Sequence, residues 1–296
     1  MTEHLAIPTA AGALAPRYPA ARRDRAPRGG FALAAVDIDD TLLGPDGRIS
    51  AANSDAVREL LRLGVRVVLA SGRSHANMLR FHRALALGDG PVVSAQGAVV
   101  RPAEGGPPWL ECTIDPALVT QVTREGLERG FAVQHYRAGA IFVQRRTHWT
   151  EHDQSRNDSP QIHVDDLLAD GEGAGVTKVI WLGEPAEIAA AAPGRVAAYA
   201  GAVTVTHTDP PYLEFYAPDA SKGAALALVA ERLGVPRERV LAFGDGNNDA
   251  PMLAWAGLGV AMPHAREAAR RAAAFVGPHG DPETALARAV RAVVGA

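Results

Sequence analysis

Apolar and polar positions repeat along the chain in two similar blocks. In the first block, "FALAAVDI" at residues 31 to 38 is a short apolar run typical of a buried strand, and "VRVVLA" and "PVVSA" are two further runs of this kind. Between the first two runs, Ser50 can cap a helix, and apolar side chains then recur at helical spacing at Val57, Leu60 and Leu61. Alternating strands and helices of this kind predict a parallel sheet with helical crossovers.

The second block lies near the C-terminus and follows the same order. Its segment "SKGAALALVAERLG" has apolar residues on one helical face, "RVLAFGDGNND" reads as a strand that runs into a polar loop, and "GLGVAM" reads as a short strand. We predict that both blocks share one sheet. This sheet and its helices would form a three-layer, Rossmann-like α/β core from residues 31–108 and 217–296.

The segment between the blocks, residues 109–216, has a different pattern. Here "FAVQHYRAGAIFVQRR", "TKVIWLG" and "YLEFYA" read as antiparallel strands, and they alternate with helical candidates. The polar stretch "THWTEHDQSRNDSPQ" predicts a loop. We therefore predict an inserted α+β cap domain.

Composition and charge limit the possible partners. The chain has 296 residues, a formal net charge of −3 and one cysteine, Cys112. The charge gives no reason to expect a nucleic acid or an anionic membrane as partner, no apolar run reaches the ~20 residues of a bilayer span, and one cysteine fits a reducing, cytoplasmic setting. Residues 1–30 are rich in Ala, Pro, Arg and Gly, which predicts a flexible tail.

The candidate catalytic and ligand-binding residues lie where the predicted strands and helices meet. Four polar segments, "DIDDT" from Asp37, "SGR" from Ser71, "SKG" around Lys222 and "GDGNND" around Asp245, occupy such places. Ligands of parallel sheets bind beyond the carboxyl ends of the strands. Converging carboxylates suit a divalent cation such as Mg2+, and a hydroxyl and an ammonium beside it suit a phosphate ester. With no serine-hydrolase or P-loop signature, Asp37 is the leading candidate nucleophile.

The same four segments, in this order and with a large insertion between the second and third, resemble the motifs of the haloacid dehalogenase superfamily. The insertion has an α+β pattern that resembles the Cof-type sugar-phosphate phosphatase branch. The segments "SAQGAVV" before the insertion and "MLAWAGLGVAM" after the fourth motif resemble the same branch. The likeness extends from Phe31 to near the C-terminus. It implies a Mg2+-dependent phosphatase that acts on a small phosphorylated metabolite, most plausibly a sugar phosphate, through an aspartyl-phosphate.

The resemblance also implies a role for each matching residue. Asp37 matches the nucleophile and Asp39 the general acid and base. Mg2+ would be bound by the carboxylates of Asp37 and Asp245 and by the backbone carbonyl of Asp39. The phosphate would be bound by a set drawn from all four motifs, namely Thr41, Ser71, Gly72, Lys222 and Asn248. Asp249 matches a residue that supports the metal or the lysine.

Two alternatives use the same residues. A phosphohexomutase, similar to phosphomannomutases, has the same nucleophile and a similar cap. A non-catalytic phosphometabolite-binding protein would fit the departures from the branch pattern at Asp40, Gln96 and His264. In the cap, the candidates to read the substrate are polar or aromatic: His135, Tyr136, Arg137, His148, Trp149, His152 and Arg156. The sequence leaves the oligomeric state open.

Strand geometry gives a further prediction about the three neighbouring aspartates. Successive side chains of a strand point to opposite faces. If the first strand continued through this segment, Asp37 and Asp39 would share one side and Asp40 would point to the other.

Overall fold

The structure is a computed structural model that describes residues 30–157, 160–169 and 173–295. The predicted tail, residues 1–30, falls outside this part of the chain except for Gly30. The described residues form an α/β core and a second α+β unit that covers one end of the core sheet. The fold class predicted from the sequence is therefore confirmed.

The core sheet has five parallel strands from both blocks of the sequence. In chain order they are β1 (Leu33–Val36), β2 (Arg66–Leu69), β12 (Val240–Gly244), β13 (Leu258–Ala261) and β14 (Phe275–Val276). Their spatial order is β14-β13-β12-β1-β2, so β1 of the first block lies directly beside β12 of the second. The prediction that both blocks share one sheet is correct.

Within the described part of the chain, six helices accompany this sheet. They are α1 (Ala51–Arg62), α2 (His75–Ala84), α6 (Lys222–Arg232), α7 (Ala250–Trp255), α8 (Glu267–Ala272) and α9 (Ala285–Val294). The side chain of Ser50 accepts a hydrogen bond from Asn53 N at 3.1 Å and so caps α1, as predicted. Among the described residues, no helix combines the length and the apolar character that a membrane crossing requires.

The third predicted strand is parallel to the core sheet but pairs over most of its length elsewhere. Among the described residues, β3 (Pro91–Ser94) joins the core sheet through one parallel bridge, between Ala70 and Val93. Its four residues also pair with the antiparallel β4 (Val99–Pro102), which in turn pairs with β5 (Leu110–Glu111). The chain reverses between β3 and β4 through three consecutive left-handed residues, Ala95, Gln96 and Gly97, and this turn makes the return strand antiparallel.

The cap domain contains a six-stranded sheet in the order β10-β11-β9-β6-β7-β8, antiparallel except for the β7–β8 pair. In chain order its strands are β6 (Ala132–Arg137), β7 (Ala140–Val143), β8 (Gln161–His163), β9 (Val176–Leu182), β10 (Thr204–His207) and β11 (Tyr212–Tyr216). Its helices are α3 (Pro116–Glu128), α4 (His148–Asn157) and α5 (Pro185–Ala198).

Period-two alternation divides this cap sheet into two faces. Val179, Trp181 and Phe215 point into an apolar core shared with α3 and α5. Their strand neighbours Lys178 and Glu214 point the other way and line a cavity over the core domain. One face of the sheet therefore stabilises the cap, and the opposite face is available for a ligand.

Helix α4 replaces the loop predicted for the polar stretch. Thr147 and Thr150 cap its start reciprocally, since Thr147 N donates to Thr150 Oγ1 at 2.9 Å and Thr150 N donates to Thr147 Oγ1 at 3.2 Å. This pairing satisfies backbone donors that a helix start leaves open. The helix lacks a regular apolar stripe, so hydrophobic periodicity could not predict it.

The chain passes between the two units near the predicted boundaries at 108/109 and 216/217. Strand β5 still pairs with the core strand β4, and Ile114 N then donates to Val176 O in the cap at 2.8 Å. On the return, β11 ends at Tyr216. The exact residue boundaries remain a prediction.

We predict that His135 makes the cap sensitive to acid. Its ring is 2% exposed and Nε2 lies 2.7 Å from Thr123 Oγ1. Burial lowers the pKa of His135 to about 4, with a smaller contribution from the positive charge of Arg137. Since the unfolded chain has the ordinary pKa of ~6.5, this stabilising contribution is complete above pH ~6.5 and is lost as the pH falls toward 4.

The loss should amount to about 2 to 3 kcal/mol of unfolding free energy by pH ~4.5, at about 1.4 kcal/mol per pKa unit. Urea unfolding of the natural protein and of His135→Gln at pH 7.5 and 4.5 measures it. Carboxylates and other histidines affect both proteins alike, so the difference between the two pH dependences reports on His135. Parallel pH dependences would contradict the prediction.

Candidate active site

The first motif begins where β1 stops. The strand ends at Val36, and Asp37 N still donates to Phe243 O of β12 at 3.0 Å. A turn with a π-helical hydrogen bond follows over Ile38–Leu42, with Asp40 in the left-handed region at φ 56°. The strand does not continue through this segment, so the condition for the expected side alternation is not met, and the different roles of the three aspartates stay a prediction.

Lys222 lies at the centre of the site. Ser221 caps α6 by accepting from Ala224 N at 3.0 Å, which sets Lys222 at the first helical position. The Nζ of Lys222 donates to Asp37 Oδ1 at 2.6 Å and to Asp249 Oδ1 at 2.5 Å. Burial alone would lower the pKa of Lys222, but the carboxylates of Asp249 and Asp37 outweigh it and hold that pKa above its usual value. The lysine is therefore a fixed, buried positive charge.

Asp249 has both of its oxygens engaged within the protein. Its Oδ1 accepts from Lys222, and its Oδ2 accepts from the backbone N–H groups of Asp245 and Gly246 at 3.0 and 2.9 Å. The carboxylate thereby fixes the polar loop after β12 and the lysine together. This geometry fits the predicted supporting role, which stays a prediction.

Asp245 lies opposite Asp37 and is held by Thr41. The Thr41 hydroxyl donates to Asp245 Oδ1 at 3.0 Å and is almost fully buried. Burial first, and then the nearby charges of Asp249 and Asp40, raise the pKa of Asp245 to about 7. In this position Thr41 orients a carboxylate, and its contact with phosphate stays a prediction.

These carboxylates fit a divalent cation. Oxygen atoms of Asp37, Asp245 and Asp249 lie within 4.8 Å of one another, and all three residues are buried. One lysine does not balance three carboxylates. Burial, followed by repulsion from Asp249, raises the pKa of Asp37 well above its ordinary value. A hard cation offers the missing positive charge, and Oδ2 of Asp37 and of Asp245 makes no hydrogen bond to the described residues.

Ser71 and Gly72 form a tight turn after β2. The Ser71 hydroxyl accepts from Arg73 N at 3.2 Å and lines the cavity. A Cβ at Gly72 would lie 2.4 Å from the amide nitrogen of Gln96, so a larger residue would displace that side chain. The structure thus places both predicted phosphate-binding residues beside Asp37.

Arg73, to which the sequence reading assigned no role, holds the predicted acid and base. Its guanidinium donates to both oxygens of Asp39, at 2.6 and 3.0 Å, and to Asn77 Oδ1 at 3.0 Å. Arg73 is 8% exposed, whereas the Asp39 side chain is 50% exposed. A bidentate pair of this kind favours the ionised carboxylate. Arg73 is the third residue of the "SGR" motif, but only the tertiary structure shows that it pairs with Asp39.

Asn248 connects the core to the cap. Its Nδ2 donates to Gln96 Oε1 at 2.8 Å, and Gln96 Nε2 donates to Glu214 Oε2 of the cap at 2.8 Å. Lys178 Nζ, also from the cap, donates to the carbonyl of Gly72 at 2.7 Å and lies 3.4 Å from Glu214 Oε2. Core and cap therefore meet through a buried polar network directly above the four motifs.

A cavity of about 360 Å³ lies between the motifs and the cap sheet. It is lined by Asp37, Asp39, Ser71, Gly72, Asp245, Asn248 and Asp249 from the predicted set, whereas Lys222 and Thr41 lie behind this wall. Of the cap candidates named from the sequence, Tyr136 lines it. His135 lies beside Thr123 on the opposite face of the sheet, and the side chain of Arg156 is outside the described part of the chain.

Lys178 and Glu214 are two of the cavity-lining cap residues that were not predicted from the sequence. Each interrupts an otherwise apolar strand, "TKVIWLG" and "YLEFYA". A charged residue inside a buried strand is costly unless it is paired, so its presence there is a usable signal for a partner or a site. Only the packing of β9 beside β11 shows that these two charges are partners.

Comparison with known proteins agrees with this geometry. The family model of haloacid dehalogenase-like hydrolases matches residues 34–290. The match covers most of the chain, and the chain belongs to this family. The family and the enzyme class predicted from the sequence, a phosphatase of this superfamily, are confirmed.

The chain is similar to several individual proteins. A protein of Streptococcus pyogenes serotype M6 that bears a phosphatase name is 30% identical over 228 residues, covering 75% of this chain and 83% of that protein. The solved structure of the superfamily phosphatase BT1666 from Bacteroides thetaiotaomicron shares 26% identity with a TM-score of 0.72, covering 90% of this chain and 96% of that one. The chain is also 28% identical over 280 residues to the chloroplastic endoribonuclease YBEY of Arabidopsis thaliana; the match covers 86% of this chain but 45% of that protein's length.

Proposed function

We propose that the protein hydrolyses the phosphate monoester of a small metabolite, a sugar phosphate, with Mg2+ and through an aspartyl-phosphate on Asp37. The observation that carries this proposal is the buried arrangement in which Lys222 bonds both Asp37 and Asp249 beside Asp245. It unites residues up to 212 positions apart in the sequence at one point of the cavity wall. We place the activity in the cytoplasm because a single cysteine fits a reducing compartment.

In the first step, an oxygen of Asp37 attacks phosphorus. A new O–P bond forms on Asp37, and the bond between phosphorus and the leaving-group oxygen breaks. Asp39 in its protonated form gives its proton to that oxygen, so the leaving group departs as an alcohol. Once the proton has been given away, the contact in which Arg73 donates to both oxygens of Asp39 stabilises the resulting carboxylate.

In the second step, Asp39 acts as a base. It takes a proton from water, whose oxygen attacks phosphorus and releases inorganic phosphate from Asp37. The bidentate contact with Arg73 suits this stage, since it stabilises Asp39 as a carboxylate. The cap covers the site, which limits entry of other water molecules during the first step.

The remaining residues hold the phosphoryl group and its charge. Lys222 neutralises Asp37, and Ser71 and Asn248 offer a hydroxyl and an amide to the phosphoryl oxygens. Mg2+ would be bound by Asp37, Asp245 and the Asp39 carbonyl, and when bound it supplies positive charge against the phosphate oxygens. The sugar assignment rests on the cap wall, where the hydroxyl of Thr208 and the carboxylate of Glu214 suit a ligand with many hydroxyl groups.

We predict that metal removal abolishes activity. With p-nitrophenyl phosphate as a generic substrate, EDTA should lower turnover by at least about a hundredfold, equivalent to about 2.7 kcal/mol of activation free energy, because Asp37 and the dianionic phosphate then repel each other. Released p-nitrophenol is measured, and excess Mg2+ should restore the rate. Full turnover in EDTA would contradict the proposal.

The rival mutase activity is tested with a hexose 1-phosphate. A phosphatase yields free sugar and inorganic phosphate, whereas a mutase yields the 6-phosphate isomer. Tight binding of phosphate esters without phosphate release at any Mg2+ concentration would instead support the non-catalytic alternative.

A further inference from the structure

We propose that the pocket for the leaving group accepts a hydroxyl-bearing group that is uncharged or cationic and rejects one that carries a second anionic group. This inference rests on the proposed phosphatase function and narrows its substrate class. It would exclude bisphosphates and phosphorylated acids while admitting sugar, polyol and amino-sugar monophosphates. The reason lies in how the charges around the cavity are paired.

The cations nearest the reaction centre are already committed. Lys222 bonds Asp37 and Asp249. Arg73 bonds both oxygens of Asp39. These positive charges, together with the proposed metal, neutralise the aspartates and the transferred phosphoryl group. They are therefore not available to bind a second anionic group on the leaving group of the ester.

The cations on the side of the cavity away from the four motifs have partners as well. Lys178 is 1% exposed and donates to the Gly72 carbonyl at 2.7 Å, with Glu214 Oε2 at 3.4 Å. The side chain of Arg266 is 49% exposed; it donates to the Thr208 carbonyl at 2.9 Å and lies 3.8 Å from Asp209, so of these two cations Lys178 is the one held in a buried pair. Together with Arg73, these are the lysine and arginine side chains among the described residues that line the cavity.

Acidic residues outnumber these cations on the same wall. The cap contributes three carboxylates to the lining, those of Asp153, Asp209 and Glu214, against the single ammonium of Lys178. The neutral groups of this wall, such as the hydroxyl of Thr208, can bond any polar ligand. This side of the cavity therefore distinguishes between ligands by their charge.

Glu214 is the centre of this selection. It points from β11 into the cavity, with Oε1 accepting from the Thr208 hydroxyl at 3.2 Å and Oε2 accepting from Gln96 at 2.8 Å. It is only 7% exposed, so little water screens its charge. A ligand hydroxyl or ammonium can donate to such an oxygen, while a carboxylate or second phosphate would only repel it.

Matched substrate pairs test the inference in Mg2+. Glucose 6-phosphate is compared with 6-phosphogluconate, and glycerol 3-phosphate with 3-phosphoglycerate, by phosphate release. In each pair, the member without a carboxylate should have a kcat/KM at least about tenfold higher than the member with one. Repulsion between unit charges a few ångströms apart at an effective dielectric constant of ~20 is large enough to produce this difference. Where turnover of a pair is too slow, the two inhibition constants against p-nitrophenyl phosphate are compared instead, with the same ratio expected.

A charge variant connects the selection to Glu214. Glu214→Gln keeps the shape of the side chain and removes the carboxylate that pairs with Lys178. The ratio of kcat/KM values within each substrate pair should therefore change by at least about tenfold in favour of the substrate that carries the carboxylate. Asp209→Asn, which releases Arg266, should move it in the same direction and serves if the first variant fails to fold. Glu128→Gln removes an exposed carboxylate of α3 on the same domain and should leave the ratio unchanged.

The outcomes separate the inference from the proposed function. Absence of p-nitrophenyl phosphate turnover in Mg2+ overturns the phosphatase mechanism itself. Turnover with equal or greater kcat/KM for the acidic member of a pair overturns the inference alone. An unchanged ratio in both Glu214→Gln and Asp209→Asn, or an equal shift in Glu128→Gln, also overturns it.

Discussion

Asp37→Asn should lose nearly all turnover, with kcat lower by at least about a thousandfold, or about 4 kcal/mol of activation free energy. An amide is a poor nucleophile and cannot form the aspartyl-phosphate, although it has nearly the shape of the carboxylate. Phosphate release under saturating p-nitrophenyl phosphate and Mg2+ measures the effect. Mass spectrometry of acid-quenched enzyme should detect a phosphorylated species in the natural protein and none in the variant.

The variant should lose this activity without losing stability. Burial and the charge of Asp249 raise the pKa of Asp37, so holding it as a carboxylate at pH 7 opposes folding in the absence of metal. Asn removes that charge, and urea unfolding in EDTA should show Asp37→Asn at least as stable as the natural protein. A loss of activity that accompanied a large loss of stability would contradict this explanation.

Asp40→Gly is the matched control within the same turn. Asp40 has a left-handed backbone at φ 56°, which glycine adopts without strain, and its side chain is exposed. We expect this variant to retain substantial turnover. Equal losses in Asp37→Asn and Asp40→Gly would show that the two aspartates cannot be assigned different roles.

Lys222→Met should lose both turnover and stability. The side chain is 1% exposed and lies between the carboxylates of Asp37 and Asp249, so methionine leaves two buried negative charges uncompensated. Breaking a buried ion pair in this way costs about 3 to 5 kcal/mol of unfolding free energy. Turnover should fall by at least about a thousandfold because Asp37 then meets the phosphate without its partner cation.

A double variant separates these two effects of Lys222. In Lys222→Met with Asp249→Asn, one of the two unpaired charges is gone, so part of the stability lost on urea unfolding should return while turnover stays low. Retention of natural turnover in Lys222→Met, or recovery of turnover in the double variant, would contradict the role given to Lys222.

Much of the candidate site could be predicted from the sequence because its groups come in short segments at the ends of strands. Asp37, Ser71, Lys222 and Asp245 lie within the four motifs, and the structure brings them to one place. Helix α4 could not be predicted from periodicity, because capping by Thr147 and Thr150 starts it without an apolar stripe.

Ion pairs between residues that are distant in the sequence could be identified only from the tertiary structure. Arg73 with Asp39, and Lys178 with Glu214, join residues 34 and 36 positions apart, and a linear pattern does not specify which charges meet. The left-handed turn at Ala95 and Gln96 likewise decides that β3 pairs with β4. That turn also places Gln96 between Asn248 and Glu214.

The sequence by itself determined the class of the fold and the family, and it predicted the residues of the reaction centre. Buried strands and helices have a period that hydrophobicity records locally, and the polar motifs follow those strands directly. Only the tertiary structure decided which cap residues line the cavity and how the cations around it are paired. Alternating strand residues reach opposite faces, and the choice of face depends on what each sheet packs against. For this protein that choice buries Trp181 and Phe215 beneath the cap helices and turns Lys178 and Glu214 toward the four motifs.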